Sequence, residues 1–367
     1  MKIGIITFHA AFNYGSMLQS WALQTYLERQ GHIVEIVNFR QKCQKTWYHK
    51  PISFTSLRSS YDSLQRLLFA PSTIPSLNKK WHLFDDFMHK NLKLTTEYSS
   101  IEELKNVQFD YDILITGSDQ IWNTKTFDFS EAYFGTFVDT ATRKIAYAPS
   151  MGPNPETQDV KYLKRLLHGF SSVGVREERT KDFLINNNIF NKVEVVLDPT
   201  MLLDEKDYAV LFDDKPLYKN DYIFYYTPGK IRHEFLREAS NIGKELGLTI
   251  VCESVYNHGD LKPYDNVISC AAVGPCEFLN LVKNAKIVCG ASFHLMVFSI
   301  IFGKNFYCMN GDVDSRLNNL MKICGTENRI WSIVNRDKNS LDSDQYNISS
   351  RYMDIKFISQ QYLDFNK

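Results

Sequence analysis

The sequence predicts an α/β protein of two Rossmann-like domains that face each other across a cleft. Short apolar runs typical of strands alternate with helical patterns in both halves of the chain, which is the pattern of parallel sheets. At 367 residues the chain is longer than one hydrophobic core usually organises. An acidic connection without clear periodicity, roughly residues 202 to 219, indicates the domain boundary.

The first series of elements opens with a β-α-β pattern. The run KIGIITF is followed by a helical pattern from Ser16 to Gln30 and then by HIVEIVNF. We therefore predict an N-terminal domain over residues 1–205. Its further strands are the runs YDILIT (111–116), KIAYA (144–148), SVGV (172–175) and VEVVL (193–197).

A second series begins at DYIFYYT and restarts the alternation, which predicts a C-terminal domain over residues 206–350. A helix over residues 351–367 is predicted to pack back onto the N-terminal domain. The expected elements of the second domain are a helix over 232–246, the strand LTIVCES, a helix over 277–285, the strand KIVCG, an apolar helix and the strand KNFYCM.

A basic and aromatic segment interrupts the first series, and we predict it to be a helical insertion of the N-terminal domain over residues 40–100. From Arg40 to Lys93 it has ten Lys or Arg against three Asp or Glu. Such a surface suits peripheral contact with anionic headgroups at the inner face of the plasma membrane. The alternative is an ordinary helical excursion with a solvated charged face.

Composition excludes several classes of protein. Lys plus Arg and Asp plus Glu are both 42, so a general affinity for nucleic acid is not expected. Seven cysteines without a C-x-x-C pair indicate reduced thiols, and the N-terminus does not resemble a signal peptide, so we expect a cytoplasmic protein. The longest apolar stretch, residues 287–303, is shorter than the roughly 20 residues that span a bilayer.

Candidate binding residues follow the strands of the first domain, because ligands of open parallel sheets lie beyond the carboxyl ends of the strands. A turn that enters a helix N-terminus follows the first strand, and polar and aromatic groups suited to sugar hydroxyls follow YDILIT. The predicted substrate-binding residues here are Asn13, Tyr14, Gly15, Ser16, Gln19, Gly117, Ser118, Gln120, Trp122, Asn123 and Ser150, with Asp119 and Arg176 as catalytic candidates. Each has a structural alternative: Asp119 as a cap, residues 13–15 as turn chemistry, and Arg176 as an ion-pair partner.

One ionisable group stands at the start of the apolar helix of the second domain. In CGASFHLMVFSIIFG (289–303), His294 occupies the predicted first turn at the carboxyl edge of the sheet, beside Ser292 and Phe293. A bound dianionic phosphate would favour the protonated ring, as a general acid requires. The alternative is a structural, hydrogen-bonded histidine.

Common catalytic motifs are absent from the sequence. It contains no G-x-G-x-x-G, no Walker P-loop, no H-E-x-x-H and no G-x-S-x-G, which disfavours dinucleotide oxidoreductases, P-loop NTPases, zincins and α/β-hydrolases. The nine histidines show no metal-ligand spacing. No metal or other cofactor is therefore predicted.

Six stretches, in order over nearly the whole chain, resemble the polysaccharide pyruvyl transferase family. They are KIGIITFHAAFNYGSMLQSWAL, ILITGSDQIWN, IAYAPSMG, VGVREERT, VVLDPTMLL and ASFHLMVFSIIFGKNFY. The resemblance implies a fold like that of the GT-B glycosyltransferases, with the acceptor on the N-terminal domain and the donor on the C-terminal domain. It also implies that phosphoenolpyruvate is the co-substrate and that pyruvate becomes a cyclic ketal on a sugar of a capsule, an exopolysaccharide or a lipid-linked precursor.

The resemblance assigns donor binding and catalysis to His294 and Arg176. Some members carry an arginine two residues before the histidine, where this chain has Ser292, so Lys230 and Arg232 are predicted to supply the missing positive charge. Two other functions fit the same fold class. One is a nucleotide-sugar glycosyltransferase of GT-B type, and the other is a catalytically silent scaffold in glycan assembly.

Overall fold

The computed structural model describes residues 1–213, 215–229, 231–253, 261–332, 341 and 346–365. The chain forms two compact units. The first unit comprises Met1–Tyr48, Met88–Leu203 and Met353–Lys367, and the second comprises His49–Phe87 and Asp204–Tyr352.

Both units are α/β, with strands and helices alternating along the chain. The strands are β1 (Lys2–Ile6), β2 (Ile33–Ile36), β3 (Ile113–Thr116), β4 (Arg143–Tyr147), β5 (Phe170–Val175), β6 (Val193–Val195), β7 (Tyr222–Tyr226), β8 (Thr249–Cys252), β9 (Val267–Ser269), β10 (Ile287–Gly290) and β11 (Asn305–Cys308). The helices are α1 (Tyr14–Arg29), α2 (Lys42–Trp47), α3 (Leu57–Phe69), α4 (Ile74–Asn91), α5 (Ile101–Lys105), α6 (Val160–Leu167), α7 (Glu178–Asn186), α8 (Glu205–Tyr208), α9 (His233–Leu246), α10 (Pro275–Asn284), α11 (Phe293–Ile301), α12 (Ser315–Cys324) and α13 (Ser350–Tyr362).

Each unit contains one parallel sheet. The first has six strands in the order β2-β1-β3-β4-β5-β6, and the second has five in the order β11-β10-β7-β8-β9. Central strands β3 and β7 are buried along their whole length, as expected when helices cover both faces of a parallel sheet.

The strand orders place a topological switch point in each sheet. In the first unit the order reverses between β1 and β3, and in the second it reverses between β7 and β10. Loops that leave these strands diverge to opposite faces of the sheet, which opens a crevice at the carboxyl edge where ligands of this fold bind. The loops after β1, β3, β7 and β10 are therefore where the candidate residues have to be sought.

The basic segment is divided between the units, in contrast to the predicted insertion over residues 40–100 of the N-terminal domain. Residues 49–87 belong to the second unit. The reason is that α4 packs there: Phe84 is buried, and Lys80 Nζ donates to Glu253 Oε1 at 2.5 Å. Local composition gave the character of the segment, but it contained no information about which sheet would cover it.

The C-terminal helix, α13, is hydrogen-bonded to β4 and to the residues that follow β6 in the first unit. Leu197 N donates to Ser359 Oγ at 2.8 Å, and Tyr362 Oη donates to Ala146 O at 2.9 Å.

The edge strand β9 was not predicted, because its three residues are too few to give a periodic signal. Within the described ranges, no helix is both long enough and apolar enough to cross a bilayer.

Candidate functional site

In the first unit, the loop after β1 enters α1 through a side-chain cap. Asn13 Oδ1 accepts hydrogen bonds from Gly15 N at 2.9 Å and Ser16 N at 3.4 Å, which satisfies amide groups that the first helical turn leaves without partners. Tyr14 and Ser16 are buried. The predicted cluster over residues 13–16 thus lies at the switch point, and Asn13 has the structural role expected of turn chemistry.

Asp119 lies on the opposite side of this crevice, after β3. Its Oδ2 accepts a hydrogen bond from Ser16 Oγ at 2.5 Å, and its Oδ1 accepts one from Gln120 N at 2.8 Å. The carboxylate thereby links the loops of the two switch-point strands and remains partly accessible. Asp119 has a backbone φ of 68°, a left-handed conformation that aspartate adopts more readily than most side chains.

Gln19 and Ser118 support this crevice from inside the protein. Both are fully buried, and Ser118 N donates to Gln19 Oε1 at 3.2 Å. Gln19 Nε2 in turn donates to Thr7 Oγ1 at 2.9 Å. We predicted Gln19 and Ser118 to bind substrate, but these hydrogen bonds already occupy their polar atoms. Both residues are therefore placed to hold the loops in position and not to contact a ligand directly.

Arg176 is the centre of a buried ion-pair network. Its Nε donates to Glu177 Oε1 at 2.9 Å, and its Nη1 donates to Asp198 Oδ2 at 2.9 Å. The same Asp198 oxygen accepts a hydrogen bond from Ser118 Oγ at 3.1 Å. Burial would lower the pKa of Arg176, but Glu177 and Asp198 outweigh it and raise that pKa above its ordinary value.

This network agrees with the structural alternative for Arg176. Its charge is compensated by two carboxylates, and the link through Asp198 and Ser118 reaches the backbone next to Asp119. The structure therefore favours a positioning role for Arg176 over the predicted grip on a phosphate. Asp198 was missed as a functional candidate, although it lies in the stretch VVLDPTMLL; an acidic residue directly after a buried strand was the available signal.

The remaining predicted residues of this edge are divided between the core and the loops. Trp122 is fully buried and stacks on Phe134, with ring centroids 5.1 Å apart, so the predicted contact with a sugar does not fit its position. Ser150 is buried, and its backbone N donates to Asp119 O at 2.8 Å. Gln120 and Asn123 are half-buried and stay among the residues that a ligand could reach.

A glycine lies at the carboxyl end of one switch-point strand in each unit: Gly117 directly follows β3, and Gly290 is the last residue of β10. A Cβ on Gly117 would lie 2.0 Å from Tyr147 O, and a Cβ on Gly290 would lie 2.0 Å from Tyr226 O. Their φ angles are 127° and 156°. No side chain fits at either position, which explains why glycine occupies both points where the chain turns toward the crevice.

In the second unit, α11 begins at the switch point with a serine cap. Ser292 Oγ accepts a hydrogen bond from Leu295 N at 3.4 Å, and His294 follows in the first turn. The ring of His294 packs edge-on against Phe293, with centroids 5.2 Å apart. His294 is 8% exposed, so it is largely enclosed but not sealed from solvent.

Of the two basic residues predicted to replace the family arginine, the structure describes Arg232. Lys230 lies outside the described residues. Arg232 occupies the N-cap position of α9 without a capping hydrogen bond from its side chain, and its Nε donates to Glu234 Oε1 at 2.7 Å in an exposed ion pair. A surface pair of this kind contributes little to stability, so Arg232 can exchange its carboxylate for another anion.

Two buried ionisable groups were not predicted as candidates. His9 follows β1 at the first switch point, and its Nε2 lies 3.0 Å from Asn38 Oδ1. Burial lowers the pKa of His9 to about 4, with the hydrogen bonds to Asn38 and Thr7 opposing the shift, so the ring is neutral at physiological pH. Glu253 follows β8 and pairs with Lys80, a contact between distant segments that the sequence did not indicate.

Parallel α/β units with polar crevices at their switch points define the broad class of Rossmann-like ligand-binding proteins. The model of the family described as "Polysaccharide pyruvyl transferase" matches residues 13–313. The chain therefore belongs to the polysaccharide pyruvyl transferase family, as predicted, and is a transferase of polysaccharide biosynthesis. No curated protein matches the chain.

Solved structures with similar folds cover almost the whole chain at low sequence identity. A putative UDP-N-acetylglucosamine 2-epimerase from Listeria monocytogenes has a TM-score of 0.53 at 10% identity, covering 99% of this chain and 89% of that one. The UDP-GlcNAc 2-epimerase from Methanocaldococcus jannaschii gives 0.52 at 12%, covering 99% of both chains. AviGT4, a glycosyltransferase involved in avilamycin A biosynthesis, gives 0.50 at 12%, covering 99% and 96%. These likenesses establish the GT-B-like fold.

Proposed function

We propose that this protein transfers pyruvate from phosphoenolpyruvate to two hydroxyls of one sugar, forming a cyclic ketal and releasing phosphate. The acceptor is a sugar of a bacterial surface polysaccharide or of its lipid-linked precursor. The observation that carries the proposal is the family match over residues 13–313. The positions of Asp119 and His294 at the two switch points support it.

The reaction balances without an oxidant, a reductant or a cofactor. The methylene carbon of phosphoenolpyruvate gains one proton and becomes a methyl group, while the first sugar hydroxyl loses its proton and bonds to the adjacent carbon. The second hydroxyl then bonds to the same carbon as the C–O bond to phosphate breaks. Its proton leaves with hydrogen phosphate, and the product keeps the carboxylate.

In this proposal His294 supplies the proton to the methylene carbon, because it is the ionisable side chain in the first turn of α11. A helix N-terminus favours anions, so the phosphate or the carboxylate of phosphoenolpyruvate is expected beside Ser292 and Phe293. Arg232 is the proposed additional cation. This assigns the donor to the second unit.

Asp119 accepts the proton of an attacking sugar hydroxyl in this proposal. Ser16 holds one carboxylate oxygen and Gln120 N holds the other, which fixes the orientation that a general base needs. The side chains of Gln120 and Asn123 are suited to further hydroxyls of the sugar. Arg176 keeps this loop in place through Asp198 and Ser118.

The direct test is incubation of the protein with phosphoenolpyruvate and a panel of hexose and disaccharide acceptors. Phosphate release and a new ketal methyl singlet in the proton NMR spectrum should appear together, in equal amounts, with one acceptor. Phosphate release without the methyl signal would indicate hydrolysis and contradict the proposal.

Calorimetric titration with phosphoenolpyruvate and with UDP-sugars separates the alternatives. The proposal requires binding of phosphoenolpyruvate. Binding of a UDP-sugar alone, with sugar transfer, would make the protein a nucleotide-sugar glycosyltransferase. Failure to bind either donor would support a scaffold without catalytic activity.

A further inference from the structure

Helix α3 presents its apolar side outward and its polar side to the protein. Ser59 and Ser63 are fully buried, whereas six of the eight exposed residues of the helix are apolar or aromatic. This is the reverse of the pattern of a helix that packs on the core of its own chain. The eight exposed residues are Leu57, Arg58, Tyr61, Leu64, Gln65, Leu67, Leu68 and Phe69.

Hydrogen bonds on the inner side fix this orientation. Ser63 Oγ donates to Ser53 O at 2.8 Å and accepts from Ser53 N at 2.8 Å. Arg66 Nη1 donates to Pro51 O at 2.7 Å. A rotation of α3 that buried its leucines would break all three bonds, so the outward apolar side is a built feature of the fold.

The exposed apolar residues form one stripe. Leu57, Tyr61, Leu64 and Leu68 follow one another at spacings of four, three and four residues, and they are 94%, 64%, 53% and 63% exposed. Exposed Phe69 is the last residue of the helix, and exposed Phe54 lies three residues before its first. A contiguous apolar surface of this kind marks an interaction site, because single exposed leucines would be scattered.

The charged residues on and near α3 indicate which kind of partner covers the stripe. None of the exposed residues of α3 is acidic, and Asp62, its one carboxylate, lies 3.3 Å from His49 Nε2. Arg58 is exposed on the helix and makes a long, exposed ion pair with Asp62, its Nε lying 3.9 Å from Asp62 Oδ2. Exposed Lys50 and Lys79 belong to the same segment, 49–87. A stable protein interface usually takes about 20–30 residues a side, more than the eight that α3 exposes.

We propose that α3 docks on the surface of an anionic lipid bilayer, with the stripe of Leu57, Tyr61, Leu64 and Leu68 inserted at the headgroup boundary. An amphipathic helix with aromatic and leucine side chains on one face and basic residues beside it binds membranes in this way. Each basic residue within reach of an anionic surface strengthens binding by about fivefold. The proposal requires neither phosphoenolpyruvate nor an acceptor, so it stands or falls separately from the proposed transfer reaction.

Flotation of the full-length protein with lipid vesicles tests the proposal. The protein should float with vesicles of phosphatidylcholine mixed with phosphatidylglycerol, and less with phosphatidylcholine alone. The double variant Leu64→Gln, Leu68→Gln should bind the anionic vesicles about a hundredfold more weakly, because two apolar side chains no longer insert. Arg58→Gln should weaken binding about fivefold and reduce its dependence on salt.

Two controls separate docking from misfolding and from nonspecific effects. Val313→Gln changes an exposed apolar side chain outside α3 and should leave binding unchanged. The double variant should keep the circular dichroism spectrum and the Tm of the wild type, because both leucines are exposed. Absence of wild-type flotation, or equal flotation of the double variant, would overturn the proposal. It would also be overturned by a wild-type dimer that the double variant converts to monomers, since a second copy would then cover α3.

Discussion

The carboxyl edges of the two sheets share a backbone design, but their switch points carry different ionisable groups. In both units a glycine lies at the carboxyl end of a switch-point strand, Gly117 directly after β3 and Gly290 at the end of β10. The first edge carries the carboxylate of Asp119, with a compensated arginine beneath it. The second begins a helix in the turn from Gly290 to His294, which contains no acidic residue.

The difference in charged groups indicates which sheet edge suits the donor and which suits the acceptor. A carboxylate held by Ser16 repels a phosphate dianion but accepts a hydrogen bond from a sugar hydroxyl. A helix N-terminus whose first turn contains no acidic residue attracts the dianion. Under the proposed function, the acceptor therefore belongs to the first unit and the donor to the second.

His294→Gln should lower kcat of pyruvyl transfer by about 10²- to 10⁴-fold, which is the usual contribution of a general acid. Glutamine keeps a hydrogen-bonding group of similar reach but cannot deliver a proton to carbon. The measurement is the rate of phosphate release together with the ketal methyl signal. Near-normal turnover would exclude His294 as the proton donor.

His9→Gln is the matched control for this change, because His9 is also buried at a switch point. Its ring contacts Asn38 and the backbone of Thr7, and it has no role in the proposed reaction. Turnover of His9→Gln should stay within a few-fold of the wild type at pH 7.5. If the two variants lost equal activity, the effect of His294→Gln would reflect packing and not chemistry.

Arg176→Met should lower the free energy of unfolding by about 3–5 kcal/mol, because it leaves Glu177 and Asp198 buried without their cation. Urea unfolding measures the loss. The exposed pair Arg179–Glu156 offers a control, since Arg179→Met should cost less than about 1 kcal/mol. Unchanged stability with lost turnover would contradict the structural role and support the sequence-based assignment of Arg176 to anion binding.

The fold was predictable because buried parallel strands produce strong local signals. Runs such as ILIT and YIFYY are continuously apolar, and turns separate them from helices of clear periodicity. The position of residues 49–87 was not predictable in this way. It depends on contacts such as that of Lys80 with Glu253, which are 173 residues apart in the chain.

The candidate site was predictable in location but less so in individual roles. Residues after parallel strands had to converge at the sheet edge, and Ser16 and Asp119 do so although 103 residues separate them. Whether a side chain faces the crevice or the interior depends on packing that no local pattern encodes. Trp122 therefore lies in the core, and Gln19 supports the loop from within.

Acid should destabilise the first unit through His9. Its folded-state pKa, about 4, lies below the ordinary value of 6.5, so the unfolded chain binds the proton more tightly. The stability that depends on the neutral ring is fully present above pH 6.5 and is lost as pH falls toward 4. The loss should reach about 2–3 kcal/mol near pH 4.5.

Urea unfolding of the wild type and of His9→Gln between pH 4.5 and 7.5 measures this contribution. The variant should be less stable at pH 7.5, and its stability should fall less steeply with acid. His168→Gln changes an exposed histidine and should reproduce the wild-type slope. Parallel slopes for the wild type and His9→Gln would show that His9 is not the group responsible.

Ser16→Ala should have the smallest effect and the most specific one. It removes the donor at 2.5 Å from Asp119 Oδ2, so the carboxylate loses one of its two positioning hydrogen bonds. A hydrogen bond to a charged group is worth about 1.5–3 kcal/mol. We therefore expect kcat/KM for the acceptor to fall by about tenfold or more, with KM for phosphoenolpyruvate unchanged. Ser16→Thr keeps the hydroxyl and should restore most of the activity. A rise in KM for phosphoenolpyruvate in Ser16→Ala would place the donor at the first edge and reverse the proposed division between the units.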